Sequence, residues 1–302
     1  LVAGAVIQFD GQVTVVDPHA ARRDHVLPHI AQELTAAGQA AHAGPVQVCA
    51  SLQEVDWSGV VLVVECITEQ LTAKQQLFAE LEAVAPANAV LASNSSGFPI
   101  SAIAQGLATA QRMLGLHFFM PAHLVPLVEV VLGERSDPAL GTWLHAFMRG
   151  CGSVPVLVKK DKPGFLANRM QHALSREAFA LIDEGIASPE DVDAAVRFGF
   201  GFRFLAAGPV LQRDHAGIEV HTAAAATMYP TLSNTDIPAQ ALRDKVAQGQ
   251  LGMKTGKGFF DWPEDRKRAE RERYATLLRQ GLALLASELP TIGPPTDAAP
   301  DT

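Results

Sequence analysis

Met113-Leu-Gly-Leu-His-Phe-Phe-Met-Pro-Ala-His-Leu-Val-Pro-Leu-Val-Glu-Val-Val131 contains two short apolar runs, each with one titratable side chain inside it, His117 and Glu129. Runs of this length and composition predict buried strands. An imidazole and a carboxylate flanked by Phe118, Phe119, Val128 and Val130 are costly in a low-dielectric interior unless they pair. Pairing removes most of that cost. It also leaves one ring nitrogen available, which is what a general acid/base near neutral pH requires.

Working outward, Val13-Thr-Val-Val16, Val60-Val-Leu-Val-Val64 and Ala89-Val-Leu-Ala92 are further β-branched runs, joined to Met113–Phe119 and Leu127–Leu132 by segments of other pattern. Continuous apolar strands suit a sheet covered on both faces. The clearest helix is predicted over Leu71–Val84, where Leu71, Leu77, Phe78, Leu81 and Val84 form one stripe. Strand, helix and strand alternate, so the fold class is α/β, a Rossmann-type mostly parallel sheet.

After Val154-Pro-Val-Leu-Val158 the pattern changes. Lys160-Asp-Lys-Pro-Gly164 reads as a connector into a long helical stretch from about Phe165 to Glu184. Ser188-Pro-Glu-Asp191 is a helix start, with a Ser cap, Pro at the first helical position and acids in the first turn. A charged helix is predicted from about Pro263 to Leu285, and the tail from Pro290 to Thr302 is expected to be loose. Two domains follow: 1–160, the nucleotide-binding sheet domain, and 161–302, an all-helical domain.

With 302 residues, 48% hydrophobic and 19% charged, the chain is long enough for one large or two ordinary domains. A net charge of −8 and the lack of a Lys/Arg patch interleaved with aromatics argue against nucleic-acid or anionic-membrane partners. No apolar run approaches the roughly 20 residues needed to span a bilayer. Cys49, Cys66 and Cys151 are few, odd in number and widely spaced, which points to a reducing compartment and a cytoplasmic setting, with no metal expected.

Val13-Thr-Val-Val-Asp17 ends a strand in an acid. In dinucleotide-binding folds an acid at that place holds the adenosine ribose and favours NAD over NADP, although strand-terminal acids are also common in ordinary loops. No Gly-x-Gly-x-x-Gly loop precedes it. Leu1-Val-Ala-Gly-Ala-Val-Ile-Gln-Phe9 reads as the first turns of the helix such a loop introduces, so the first strand and most of the loop are expected upstream of Leu1. Phe9-Asp-Gly-Gln-Val13 is short for a helix-to-strand connection.

Ser93-Asn-Ser-Ser96, Gly115-Leu-His-Phe-Phe119, Leu127-Val-Glu-Val130, Pro163-Gly-Phe-Leu-Ala-Asn-Arg169 and Gly252-Met-Lys-Thr-Gly-Lys-Gly-Phe259 occur in one order. Together, from about Asp17 to Trp262, they resemble the L-3-hydroxyacyl-CoA dehydrogenase family of NAD-dependent enzymes acting on CH–OH groups. The resemblance implies a catalytic pair at His117 and Glu129, with Ser96 and Asn168 holding the reacting oxygen, one from each domain at a cleft. It implies cofactor contacts at Asp17, Glu69, Lys74, Ser96 and Lys254. It also implies NAD as cofactor, a 3-hydroxyacyl-CoA or free hydroxy acid as substrate, a place in fatty acid metabolism, and a homodimer through the helical domain. The alanine-rich run Ala223–Met228 suits that dimer.

Two departures bear on the substrate. Met120 stands where the family usually has Asn, and the helical hairpin that meets the CoA nucleotide is shortened and alanine-rich at Leu34–Ala43, with no basic cluster in its place. Phe198-Gly-Phe-Gly-Phe-Arg203 and Ala207-Gly-Pro209 are similar to branches acting without CoA, on L-gulonate (with the lens-crystallin relatives), L-carnitine or pyridine carboxylates. Arg203 has two readings, a partner for a free carboxylate or an ordinary surface arginine. His25 and His29 read as a solvated face, and Asp214, His215 and His221 as packing residues. His123 reads equally as lining the substrate mouth or capping a loop. The rival classes are a non-catalytic crystallin-like or cofactor-sensing relative, and a lysine-based hydroxyisobutyrate or phosphogluconate type dehydrogenase, against which the His–Glu pair argues.

Overall fold

The computed structural model describes residues 11–36 and 46–293. They form two compact units, residues 11–168 with 287–293, and residues 169–286. The helix expected over Leu1–Phe9 and the end of the hairpin run at Leu34–Ala43 lie outside the described residues.

In the first unit Val13–Val16 (β1) pairs in parallel with Val46–Cys49 (β2), Val13 opposite Val46. A second sheet has the order β3-β4-β5-β6-β7, formed by Leu62–Glu65, Val90–Ser93, Met113–Phe118, Leu127–Leu132 and Val154–Val158. Every pairing in it is parallel except β5 with β6. Helices Ala20–Ala36 (α1), Leu71–Val84 (α2), Ile100–Ile103 (α3) and Pro138–Gly150 (α4) lie between the strands in the chain. The fold is the Rossmann-type, mostly parallel sheet that the apolar runs predict.

Side chains alternate between the faces of a strand, and the core divides accordingly. Val90, Ala92, Leu114, Leu116, Val128 and Val130 pack with Leu140, Trp143, Leu144 and Met148 of α4. Leu91, Met113 and Val131 belong to the other core, with Phe78 and Leu81 of α2, Ile100 and Ile103 of α3, and Phe165. His117 and Glu129 share the parity of Met113 and Val131, so period-two alternation assigns them to this second face. Gly115, on the same face, allows close approach: a Cβ there would lie 2.8 Å from Val131 Cβ and 2.9 Å from Ile100 Cδ1.

Three features differ from expectation. β2 is a four-residue Val-Gln-Val-Cys segment, too short for its alternation to stand out from the surrounding chain. Helix α1 continues through Pro28, whose missing N–H removes only one ladder bond. The tail is anchored at its start, because Ile292 packs against the α4 core and Gly293 N donates to Gly150 O at 3.0 Å.

The second unit consists of helices Ala167–Asp183 (α5, whose first two residues belong to the first unit), Pro189–Ala195 (α6), Leu211–Ala216 (α7), Ile218–Met228 (α8), Gln240–Ala247 (α9) and Glu264–Leu284 (α10). Among its described residues the only β-type pairings are isolated bridges that join Gly252, Lys257 and Asp261. Ser188 caps α6 as the sequence predicts, its Oγ accepting from Asp191 N at 3.1 Å. The Asp183 carboxylate does the same for α9, accepting from Gln240 N and Ala241 N at 2.7 and 2.8 Å.

Candidate active site

The antiparallel pairing of β5 and β6 sets His117 directly opposite Glu129. Their side chains meet, with His117 Nδ1 2.7 Å from Glu129 Oε2. Both are buried, and the rings of Phe119 and Phe165 stand edge-on to the imidazole at centroid distances of 4.6 and 5.8 Å.

The other oxygen of Glu129 is also engaged. Oε1 accepts from Leu166 N at 3.0 Å and Ala167 N at 2.8 Å, where the partial positive charge of the α5 N-terminus favours a carboxylate. A tight turn aims these amides, with Gly164 at φ 76° and Phe165 at φ 48°. The left-handed conformation costs a non-glycine residue roughly 1–2 kcal/mol. Burial of the Phe165 ring and the two bonds to Glu129 offset it. Burial pushes the Glu129 carboxyl up, but the hydrogen bonds from His117, Ala167 and Leu166 outweigh it and hold the group below the ordinary carboxylate range.

An ionised carboxylate only accepts, so the proton between the pair sits on His117 Nδ1, and in the neutral ring Nε2 carries the lone pair. Nε2 lies 3.1 Å from Ser96 Oγ, a hydroxyl that can donate to that lone pair. Ser96 is exposed on the loop after β4, and Asn168 Nδ2 donates to the Ser96 carbonyl oxygen at 3.4 Å. The four residues singled out in the sequence therefore come together within the first unit. Asn168, expected from the helical half, closes the N-terminal stretch of that unit. The bonds from Leu166 and Ala167 to Glu129 keep the first turn of α5 with the sheet.

The remaining candidates are spread more widely. Asp17 follows β1 and is held by its own turn, accepting from His19 N at 2.8 Å and lying 3.6 Å from Arg22. Glu69, half exposed, follows β3 and accepts from Ser95 Oγ at 2.5 Å and Gly97 N at 3.1 Å. Lys74 does not reach solvent: its ammonium is enclosed by Glu65 at 2.8 Å and Glu69 at 3.3 Å. Lys254 is exposed in the second unit, in the turn closed by the Gly252–Lys257 bridge, and Arg203 is exposed there too. His123 pairs with Glu33 of α1 at 2.9 Å. No group of three metal-binding side chains occurs among the described residues.

Sequence reasoning missed Glu65, Asn94 and Ser95. Asn94 Oδ1 accepts from Phe118 N at 2.9 Å and so ties the Ser96 loop to the strand end beside His117. A signal for Glu65 was present, since an acid closes the run Val60–Val64 nine residues before Lys74.

Asp17, Glu69 and Ser96 each follow the carboxyl end of a parallel strand, where open α/β sheets bind ligands. A partly buried acceptor at Asp17, an exposed one at Glu69 and a hydroxyl at Ser96 are polar groups that fit the ribose hydroxyls and amide of a dinucleotide. Such a sheet, with an imidazole–carboxylate pair next to that edge, belongs to a nucleotide-dependent dehydrogenase of CH–OH groups. The particular family follows from comparison with known proteins. Residues 2–162 match the NAD binding domain of 3-hydroxyacyl-CoA dehydrogenase and residues 164–262 its C-terminal domain, so the chain belongs to the 3-hydroxyacyl-CoA dehydrogenase family, with NAD as cofactor.

Among relatives, the 5-formyl-3-hydroxy-2-methylpyridine 4-carboxylate 5-dehydrogenase of Mesorhizobium japonicum is 33% identical over 222 residues, 73% of this chain and 72% of that protein. A crystal structure of a 5-formyl-3-hydroxy-2-methylpyridine 4-carboxylic acid 5-dehydrogenase, described as an NAD+ dependent dismutase, superposes with a TM-score of 0.86 at 29% identity, covering 94% of both chains. The (S)-3-hydroxybutyryl-CoA dehydrogenase of Ralstonia eutropha gives a TM-score of 0.70 at 27% identity, covering 87% of this chain and 94% of that one. No helix among the described residues is long and apolar enough to cross a membrane.

Proposed function

We propose that the protein oxidises the CH–OH group of a small carboxylate-bearing alcohol with NAD, and that CoA is not part of its substrate. Bound NAD supplies the hydride acceptor. The chain's own residues handle the proton and the oxygen. His117 Nε2, unprotonated in the pair, takes the hydroxyl proton as the carbonyl forms, and Glu129 stabilises the resulting imidazolium. Ser96 Oγ and the Asn168 amide hold the reacting oxygen at Nε2, and Asp17 and Glu69 accept from the cofactor's hydroxyl and amide groups. In the reducing direction His117 returns the same proton.

The observation that carries the chemistry is the continuous chain from the α5 amides through Glu129 and His117 to Ser96. Support for a substrate without CoA is the higher TM-score to the pyridine-carboxylate enzyme than to the hydroxybutyryl-CoA enzyme, together with Met120, 81% exposed, where the family has Asn. Exposed Phe198, Val210, Ile218, Val220 and Tyr229 on the helical unit suit burial against a second copy of the chain.

The test is a panel of pyridine carboxylate alcohols, L-carnitine, L-gulonate and 3-hydroxybutyryl-CoA with NAD, read by NADH absorbance. Turnover is expected on a free carboxylate, and kcat/KM highest on the CoA thioester refutes the substrate assignment. His117→Gln is expected to retain NADH binding and lose turnover by orders of magnitude; retained turnover removes His117 from the mechanism.

A further inference from the structure

Below the Ser96 loop lies an ion pair that the proton-transfer chain does not include. Glu65, the last residue of β3, and Lys74, in the first turn of α2, bond at 2.8 and 3.0 Å with side chains almost wholly removed from water. A buried pair is a weak source of stability, because well-packed apolar residues of the same volume serve as well or better. Its contacts indicate what it does instead.

Glu65 accepts three further bonds, one from the segment after β3 and two from the end of β4 and the loop that follows it. Its Oε1 takes Ile67 N at 2.6 Å, its Oε2 takes Ser93 Oγ at 2.6 Å, and its carbonyl oxygen takes Asn94 N at 2.8 Å. Ser93 Oγ in turn accepts from Ser95 N at 3.2 Å. Lys74 passes from Glu65 to Glu69 Oε2 at 3.3 Å, and Glu69 Oε1 closes on Ser95 Oγ and Gly97 N. Ser95 Oγ also accepts from Phe98 N at 3.1 Å. Ser96 is thus bracketed on both sides by groups that lead back to Glu65. Burial pushes the Glu69 carboxyl up, but its bonds to Ser95, Gly97 and Lys74 hold it below the ordinary range, so it stays ionised and the bracket stays closed near neutral pH.

We propose that Glu65 is a positioning residue for the dehydrogenase reaction: through Lys74, Glu69 and Ser95 it fixes the loop that sets Ser96 Oγ against His117 Nε2. The same chain sets the half-exposed Glu69 carboxylate on the cofactor side. The proposal rests on His117 being the base. Lys74 then acts through Glu69 and not by touching the cofactor.

Two variants test it: Ser95→Ala, which cuts the link without disturbing the buried charges, and Glu65→Gln/Lys74→Met, which removes both charges and keeps the net charge. Each is assayed for kcat per NADH-binding site on the panel compound that the unaltered protein turns over, for KM of NAD, and for the 15N signals of the His117 ring. Loss of alignment is expected to lower kcat by about tenfold or more in the double variant and less in Ser95→Ala, a range set by the steep dependence of rate on reacting-group placement. KM for NAD is expected to change less than kcat, and the Nε2 signal to move as the Ser96 hydroxyl withdraws. A kcat within about twofold of the unaltered protein, with an unmoved Nε2 signal, in a variant that binds NADH, overturns the proposal. If the double variant does not fold, Ser95→Ala decides alone. His117→Gln is run alongside: if it stays active, the reading of the base has failed, whereas an inactive His117→Gln beside fully active network variants sinks only the role of Glu65.

Discussion

Replacing Glu129 by Gln keeps its shape and removes its charge, and the structure sets how much that should cost. The carboxylate accepts from His117 Nδ1 on one oxygen and from two backbone amides on the other. An amide cannot accept on both sides. If its NH2 faces the backbone, two buried N–H groups lose their acceptor, at about 1–3 kcal/mol each. If it faces His117, Nδ1 must become the acceptor and the ring proton moves to Nε2, which then cannot take the substrate proton. In either case the imidazolium formed in the reaction loses its counter-charge. Unit charges about 4 Å apart at an effective dielectric of about 20 attract by roughly 4 kcal/mol, close to three decades in rate. The amide dipole restores part of this, so kcat is expected to fall by about a hundredfold to a thousandfold. Steady-state NADH formation at saturating NAD measures it, with NADH fluorescence to show that the cofactor still binds. A variant with kcat within about threefold of the unaltered protein refutes the assigned role.

Asp17→Ser removes the acid that repels a 2′-phosphate, and kcat/KM for NADP relative to NAD is expected to rise by about tenfold or more; an unchanged ratio removes Asp17 from the ribose site. Gly115→Ala places a methyl group against the fixed Cβ of Val131 and is expected to destabilise the first unit by about 1–3 kcal/mol in urea unfolding. The Glu129 carboxyl is depressed in the folded state, so its contribution to stability is present above the unfolded-state value and is lost as pH falls through the folded one. Acidification below the ordinary carboxylate range should therefore destabilise the unaltered protein more steeply than Glu129→Gln. Burial pushes the Cys151 thiol up to about 12, and a thiol reagent at neutral pH is expected to reach it only after denaturation; rapid labelling of Cys151 in the native protein contradicts that burial.

The strands and the pair were legible because they rest on local pattern. Five apolar runs became strands with ends shifted by a residue or two, and Leu71–Val84 became a helix with its predicted bounds. His117 and Glu129 could be paired in advance because each was a titratable group in an apolar run, and burial demands a partner. What stayed hidden was set by tertiary contact. The left-handed Phe165 depends on the Glu129 oxygen that receives the next two amides, a relation between residues 37 and 38 positions apart. Lys74 was expected as a cofactor contact, and only the fold shows it buried between Glu65 and Glu69. The strand at Val46–Cys49 was missed because four residues give alternation too little length to register.

One antiparallel strand explains why a single carboxylate can serve both the base and the backbone. Direct cross-strand opposition brings His117 and Glu129 into contact on the face where Phe165 packs, at the strand ends where ligands bind in such sheets. The second oxygen of Glu129 then points at the N-terminus of α5, so the group that orients the imidazole also sets the first turn carrying Asn168. Aligning Asn168 with His117 thus needs no contact beyond those that keep the buried charge satisfied, while the Ser96 loop is held separately through Glu69, Ser95 and Asn94. A carboxylate engaged on both oxygens has one favourable orientation, and this rigidity holds Nε2 in place while a proton comes and goes. The cost of burying Glu129 and of turning Phe165 left-handed is the cost of that fixed geometry.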